Sequence, residues 1–236
     1  MQSDKNKDYS GLEELINLEV MKNYNHFVVS SAIKHSGKNI RVIDYGAGIG
    51  TLSLIFHDCF GIKPLCVEID PINKKYLRER RLDCFDSLEK INDEVDLIFS
   101  SNVLEHIEDD MSALHSMKNS LQINGKIYLY LPAKKILWSE MDRVVGHYRR
   151  YEPSEIKTKC EKIGFKVESL YYADSIGFFA SLILKLIGYN TKSGIGSKKS
   201  LIFYDKYIFP ISKVFDFIGL RFLFGKNIIL VAKKIN

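Results

Sequence analysis

The sequence predicts an α/β fold, a mostly parallel sheet with helices on both faces. Three observations carry this reading. Short β-branched runs alternate with stretches at helical period, which implies parallel strands joined by right-handed crossovers. A glycine-rich turn, Gly46-Ala47-Gly48-Ile49-Gly50, joins one such run to the helix after it. Helix stop and start signals, such as Gly61 and Asp70-Pro71, fall between the runs. The 236 residues suit one α/β domain with embellishments.

Taken in order, Leu12 to Ser36 reads as one helix or two broken ones. Leu12, Leu15, Ile16, Leu18, Phe27, Val28, Ala32 and Ile33 give it an apolar face, and Gly37 ends it. Ile40, Val42 and Ile43 form a strand covered on both faces. Gly46, Gly48 and Gly50 then alternate, so the backbone turns sharply and a ligand can lie against it without a Cβ in the way. The next helix, through Leu52, Ile55, Phe56 and Cys59 to Gly61, aims its N-terminal amides at that place. Lys63 to Glu68 is the second strand, and Asp70-Pro71 caps a helix. Glu68 therefore ends a strand about twenty residues past the glycines, where a carboxylate can accept both hydroxyls of a ribose. Leu82 to Phe85 is a short third strand, followed by Asp86-Ser87, and Val95 to Ser100 is the fourth. Asp110 is expected to cap a helix whose Met111, Leu114, Met117 and Leu121 share a face, with Asn124-Gly125 as its end. Lys126 to Leu131 is the fifth strand, closed by Pro132. Trp138 to Tyr151 is a loop dense in charge and aromatic rings at the carboxyl edge of the sheet, where α/β folds bind ligands. Pro153 opens a helix that Gly164 ends, Phe165 to Tyr172 is the sixth strand, and Asn227 to Ala232 is the last.

Between these last strands lie residues 176–225. They comprise an apolar run (Ile176–Gly188), a polar loop (Asn190–Ser200) and an aromatic stretch to Gly225 broken by Asp205, Lys206, Lys213, Asp216 and Arg221. The runs are too short or too charged to span a bilayer. They fit amphipathic helices that form a lid, or a lid whose aromatic face also rests on a membrane surface.

Composition narrows the partners. A formal net charge of +5 with no nucleic-acid-binding motif gives no reason to expect nucleic acid. Cys59, Cys66, Cys84 and Cys160 are scattered without a CxxC pair, as small core residues of a reduced, cytoplasmic protein are. Met1 to Asp8 is polar and shows no secretory signal.

Two strings carry a family resemblance. The turn Asp44-x-Gly46-x-Gly48-x-Gly50 resembles motif I of the class I S-adenosylmethionine-dependent methyltransferases. A dinucleotide fingerprint would need its third glycine one residue later. Asn102-Val103-Leu104-Glu105-His106-Ile107 resembles the signature after strand four in the ubiquinone-biosynthesis-type O-methyltransferases and their relatives. In addition, Asp142 with Gly146-His147-Tyr148-Arg149-Arg150-Tyr151 resembles a bacterial subgroup associated with cell-envelope glycan genes. The resemblance implies a Rossmann-like, seven-stranded, mostly parallel sheet in the order 3-2-1-4-5-7-6. The family joins strands six and seven directly, so residues 176–225 are an insertion. Residues 1–37 become an N-terminal helical cap, and 38–175 with 226–236 the cofactor-binding core. The implied cofactor is S-adenosyl-L-methionine, with S-adenosyl-L-homocysteine as product. Its expected contacts are Asp44, Gly46, Ala47, Gly48, Gly50, Glu68, Ile69, Asp86, Ser87, Ser101 and Asn102, with Asp86 facing the adenine amine.

Methyl transfer from a sulfonium is an in-line displacement, so the protein mainly holds three atoms collinear, which can supply ~7–11 kcal/mol. A hydroxyl acceptor also needs a base, a further ~10²–10⁴-fold. His106 and His147 are the candidates, with Asp142 as the orienting acid. Trp138, Tyr148, Arg149 and Arg150 are candidate acceptor contacts, the arginines suiting an anionic or sugar-bearing group. Glu105 and His106 as a pair specify no metal site, and none is expected. The leading acceptor is a glycan or a lipid-linked molecule. A quinone or phenol-type small molecule is the enzymatic alternative. A non-catalytic, S-adenosylmethionine-binding or membrane-associated interaction module is the alternative from another class. The expected location is the cytoplasm, with peripheral contact at the inner membrane face if residues 176–225 touch lipid. The Asn/Asp-Pro-Pro-Tyr tetrapeptide of amino-group base methylases is missing after strand four, where Ser101-Asn102-Val103-Leu104 stands. The number of subunits is left open.

Overall fold

The computed structural model describes residues 11–187 and 197–235. Helices α1 (Leu12–Leu18) and α2 (Lys22–Ser36) lead into β1 (Val42–Tyr45). There follow α3 (Thr51–Phe60), β2 (Leu65–Val67), α4 (Pro71–Glu79), β3 (Cys84–Phe85), β4 (Val95–Ser101), α5 (Asp110–Ser120), β5 (Leu121–Pro132) and α6 (Glu140–Val144). The chain ends with α7 (Pro153–Ile163), β6 (Phe165–Ala173), α8 (Ser175–Ile187), α9 (Lys198–Phe203), α10 (Phe209–Phe217) and β7 (Asn227–Lys234). The strands form one sheet in the order β3-β2-β1-β4-β5-β7-β6, as the resemblance implied. The first five are parallel, and β7 runs antiparallel between β5 and β6.

Both faces of the sheet are buried, which is why the central strands read as continuous apolar runs. Ile98, Ile127 and Leu230 face a core completed by Leu114 and Met117 of α5 and Ile156 of α7. Their strand neighbours Phe99, Tyr128 and Val231 face the other core, with Val28 and Val29 of α2 and Phe56 of α3. Asp70 caps α4 as its sequence predicts, accepting the N–H of Ile72 and Asn73 at 2.8 and 3.0 Å.

Four local expectations change. Asp109 rather than Asp110 caps α5, accepting the Ser112 N–H at 3.0 Å. Asp110 is instead buried, taken by Tyr151 Oη at 2.8 Å and Lys159 Nζ at 2.5 Å. Asn124-Gly125 does not end α5, because the helix stops at Ser120 and β5 begins at once, with Asn124 at φ +69°. The Trp138–Tyr151 loop contains a helix, α6, opened by a capping box between Ser139 and Asp142. Cys59 lies exposed on α3, whereas Cys66 and Cys160 are core residues.

Acidic residues between β6 and β7 fasten the helices α8–α10 to the core. Asp205, in a π-helical turn between α9 and α10, accepts the N–H of Asn23 and Tyr24 at 3.0 and 2.8 Å. It thereby caps α2, whose own N-cap, Met21, has no side-chain acceptor. Asp216 of α10 accepts the N–H of Asp174 and Ser175 at 2.8 and 3.2 Å, and Ser212 Oγ accepts that of Ile176 at 3.0 Å. These serve the orphan amides at the start of α8. The polar loop expected at Asn190–Ser200 lies outside the described residues up to Gly196.

Asp205→Ala removes the borrowed cap and should cost about 1–2 kcal/mol in denaturant unfolding. Asp205→Asn, which keeps one acceptor oxygen, should recover most of that loss.

Candidate active site

The strand order reverses between β1 and β4, and a crevice at such a point is where open α/β sheets bind ligands. The glycine turn sits at this point. Gly46 and Ala47 donate their N–H to Val67 O at 2.8 and 3.1 Å, which ties the turn to the end of β2. Gly46, Gly48 and Gly50 all have positive φ, at +77°, +54° and +86°. A Cβ on Gly46 would come within 2.3 Å of Val103 Cγ2, and one on Gly50 within 2.7 Å of Leu82 Cδ1. Packing therefore demands these two glycines whatever the turn binds.

Glu68 lies beside Gly48. Its Oε2 accepts the Gly48 N–H at 2.8 Å, and its Oε1 accepts those of Ile69 and Asp70 at 2.7 and 2.8 Å. Each carboxylate oxygen has about two acceptor sites, so Oε2 keeps one for a ligand hydroxyl. The register of β2 on β3 sets Asp86 alongside, since Glu68 N donates to Phe85 O at 3.0 Å. Asp86 is exposed, and its hydrogen bonds from Lys74 and then Lys90 hold its carboxyl down to about 2. Ile69 is 78% exposed at the rim, and Ser87 is half-buried. Asp44 lies beneath the turn and not on its surface. It is buried, accepts the Ser53 hydroxyl at 2.5 Å, and is pushed up to about 7 by that burial. Helix α1 lies over the turn: Leu15 Cδ1 sits 3.3 Å from where a Gly48 Cβ would be. Glu19, just past α1, accepts the Thr51 hydroxyl at 2.9 Å and pairs with Arg80 at 2.7 Å.

Across the switch point, Ser101 is half-buried and Asn102 exposed. Asn102 adopts φ +53° and donates its N–H to Tyr130 O at 2.8 Å. The 3₁₀ turn Leu104–His106 follows and meets the segment after α6. Asp142 is the hub there. Its Oδ2 accepts Ser139 N and Oγ at 2.9 and 3.1 Å, and its Oδ1 accepts His147 Nδ1 and Arg150 Nε, both at 2.8 Å. Burial opposes its ionisation, but His147 and Arg150 together hold it down to about 2. His147 Nε2 lies 4.0 Å from Glu105 Oε1. The His106 residue is exposed at the surface, but its ring packs edge-on against His147, centroids 4.6 Å apart, and desolvation of the packed ring, followed by that neighbour, pushes it down to about 4. Glu105 is fully buried and pushed up to about 8.

Of the candidate acceptor contacts, the structure turns two inward. Arg150 is buried on Asp142 and also donates to Ala133 O at 3.2 Å. Arg149 pairs with Asp110 at 3.0 Å and donates to Glu108 O at 2.6 Å. Tyr148 remains exposed and Trp138 half-buried.

The fold adds groups that no local pattern marks. Tyr24 of α2 reaches into the crevice, its ring edge-on to Tyr130 and its hydroxyl facing Tyr130 and Asn102. Asp174, at φ +62° after β6, is fully buried and accepts the Tyr204 hydroxyl at 2.6 Å. An acid ending a strand was its only visible signal.

A family model described as a methyltransferase domain matches residues 20–170. The chain belongs to that family. The matched region spans both halves of the crevice, from Tyr24 to Arg150, and ends before the helices α8–α10. Solved structures with this fold include an S-adenosylmethionine-dependent methyltransferase from Archaeoglobus fulgidus, 18% identical over 96% of this chain and 100% of that one, TM-score 0.59. Phosphoethanolamine N-methyltransferase 2 of Haemonchus contortus, solved with S-adenosyl-L-methionine, is 17% identical over 97% of this chain and 59% of that one, TM-score 0.59. The protein solved in complex with the Trm112 methyltransferase activator of Haloferax volcanii is 13% identical over 96% of this chain and 97% of that one, TM-score 0.64. No curated protein matches this methyltransferase-domain chain.

Asp44 carries a pH test. Its folded value, about 7, exceeds the ~3.9 of an unfolded Asp, so ionisation opposes folding and stability falls between those values as pH rises. Asp44→Asn should therefore unfold at higher denaturant than the parent above pH 7, with the gain vanishing near pH 4.

Proposed function

We propose that the protein is an S-adenosyl-L-methionine-dependent methyltransferase that methylates a hydroxyl of a glycan or lipid-linked acceptor at a membrane surface. Its family supports the methyl transfer, and the free acceptor site on Glu68 fits a ribose hydroxyl. Glu68, with Gly46, Ala47, Gly48 and Gly50, would hold the adenosyl group, flanked by Ile69, Asp86 and Ser87. Asp44 supports this cradle from below through Ser53. Ser101 and Asn102 would border the reacting centre. When bound, the cofactor supplies a methyl group already activated on a sulfonium. The chain's own task is to exclude water and align the acceptor oxygen, for which Leu15 and Tyr24 close the crevice from the N-terminal side. His106, His147 and Asp142 form the polar group that would activate the acceptor hydroxyl, and Tyr148 and Trp138 would line its approach.

One observation carries the acceptor class. The helices α8–α10 and the turn after them expose Leu186, Phe203, Ile211, Phe217, Phe222 and Leu223, with Phe217 81% exposed. Lys185, Lys198, Lys199 and Lys213 lie on the same helices, and Lys206 on the turn between α9 and α10. Apolar patches of this kind mark interaction surfaces, and apolar side chains among lysines suit the boundary of an anionic bilayer. No helix among the described residues is long and apolar enough to cross a membrane. The turn that joins α9 to α10 carries Tyr204 and Asp205 to the crevice, so an acceptor anchored in lipid would arrive beside Asp174 and Tyr24.

Three measurements test this reading. Glu68→Ala should weaken S-adenosyl-L-methionine binding by at least tenfold in calorimetry, equivalent to losing one ~1.5–3 kcal/mol charge-assisted hydrogen bond. S-adenosyl-L-homocysteine should form with acceptors presented in phosphatidylglycerol vesicles. The protein should float with such vesicles, and Phe217→Glu with Phe222→Glu should abolish flotation. Turnover confined to soluble phenols, or equal flotation of parent and variant, would sink the membrane acceptor.

A further inference from the structure

After β4 the Leu104–His106 turn presents Glu105 and His106 side by side, and the segment after α6 brings His147 against them. One ligand atom from each residue lies within 4.8 Å of the other two. Neither carboxylate oxygen of the fully buried Glu105 has a hydrogen-bond partner among the described residues. A buried carboxylate without donors is costly unless a positive charge compensates it. His147 is already oriented: Asp142 holds its Nδ1 at 2.8 Å, which leaves Nε2 free and 4.0 Å from Glu105 Oε1. A carboxylate on the far nitrogen is the usual device for fixing a metal-ligating imidazole. Asp142 is in turn held by Ser139 and Arg150. Arg150 is engaged by Asp142 at 2.8 Å, so it leaves the Glu105 carboxyl without a donor of its own, and a cation between Glu105 and His147 Nε2 would supply the missing partner.

We propose that Glu105, His106 and His147 bind one divalent transition-metal cation. One carboxylate oxygen with two imidazole nitrogens selects a first-row metal such as zinc or manganese over magnesium or calcium. His106 is exposed and His147 half-buried, so three protein ligands leave a coordination position open to the crevice, as catalytic sites do and structural sites do not. The cation's task rests on the hydroxyl-methylation reading. The acceptor oxygen binds the open position and its proton leaves to solvent. The oxygen lone pair then forms the new C–O bond as the methyl–sulfur bond breaks, its electron pair remaining on sulfur. Under this assignment His147 and His106 act as ligands, and Asp142 is a positioning residue.

The test is a cobalt(II) titration of the metal-stripped, full-length protein, followed by visible absorption and calorimetry. One equivalent should bind with the ligand-field bands of a four- or five-coordinate ion, and zinc should displace it. Glu105→Gln and His147→Ala should each weaken binding at least tenfold, and Asp142→Asn by ~10–100-fold. His106→Ala removes an exposed ligand and tests the same point with the least disturbance to the core. S-adenosyl-L-homocysteine affinity, measured in parallel, should stay unchanged in all four and reports that each variant is folded. A protein that binds S-adenosyl-L-homocysteine but shows no saturable cobalt band, or equal cobalt affinity in parent and Glu105→Gln, would overturn the cation site and leave the methyl-transfer reading standing. Saturable cobalt binding without any hydroxyl methylation would overturn the cation's role in the reaction.

Discussion

The hydrogen bond from the Gly48 amide to the Glu68 carboxylate is the constraint on which the β1–β2 side of the crevice depends. It joins the turn after β1 to the end of β2, two segments that the parallel register has already brought level at Tyr45 and Val67. Charge-assisted bonds to backbone amides are short and directional, so the glycine turn is fixed before any ligand arrives. Other contacts build on this joint. Leu15 rests where the turn leaves space, and Glu19 links the end of α1 to Thr51 and Arg80. Cap, turn and sheet therefore behave as one preorganised unit, which limits the entropy that ligand binding must overcome.

A second joint couples the helices α8–α10 to the crevice. Asp205 supplies the cap that α2 lacks, Asp216 supplies one for α8, and Tyr204 closes on Asp174. Each of these acids satisfies donors that would otherwise be buried and orphaned. Tyr24 lies between them, touching Tyr130 on the sheet and Phe209 on α10. The helices that expose an apolar face to the outside thus also help to shape the interior of the site.

The segment around α6, across the switch point, is organised by buried charge. Arg150, Asp142 and Ser139 form one network, and Asp110 with Tyr151, Lys159 and Arg149 forms another. These pairs cost desolvation, and their return is geometric: they hold the loop that presents His147. Glu105 stands at the edge of the first network as a fully buried carboxyl with no hydrogen-bond donor on either oxygen among the described residues.

Much of this was legible along the chain because the signals were local. The β-branched runs, the alternating glycines and the Asp70-Pro71 start depend on residues within a turn or a strand of one another, so periodicity and backbone preference suffice to read them. The strand order followed from the family resemblance. Other features required the folded chain, since their partners are far apart in sequence. Asp205 caps a helix that begins at Lys22, Asp174 meets Tyr204, and Arg149 and Arg150 turn inward to acids no pattern could choose among. The cluster of Glu105, His106 and His147 is the clearest case. Two of its members are sequence neighbours, and the third joins them only because the strand ends of a parallel sheet converge on one edge.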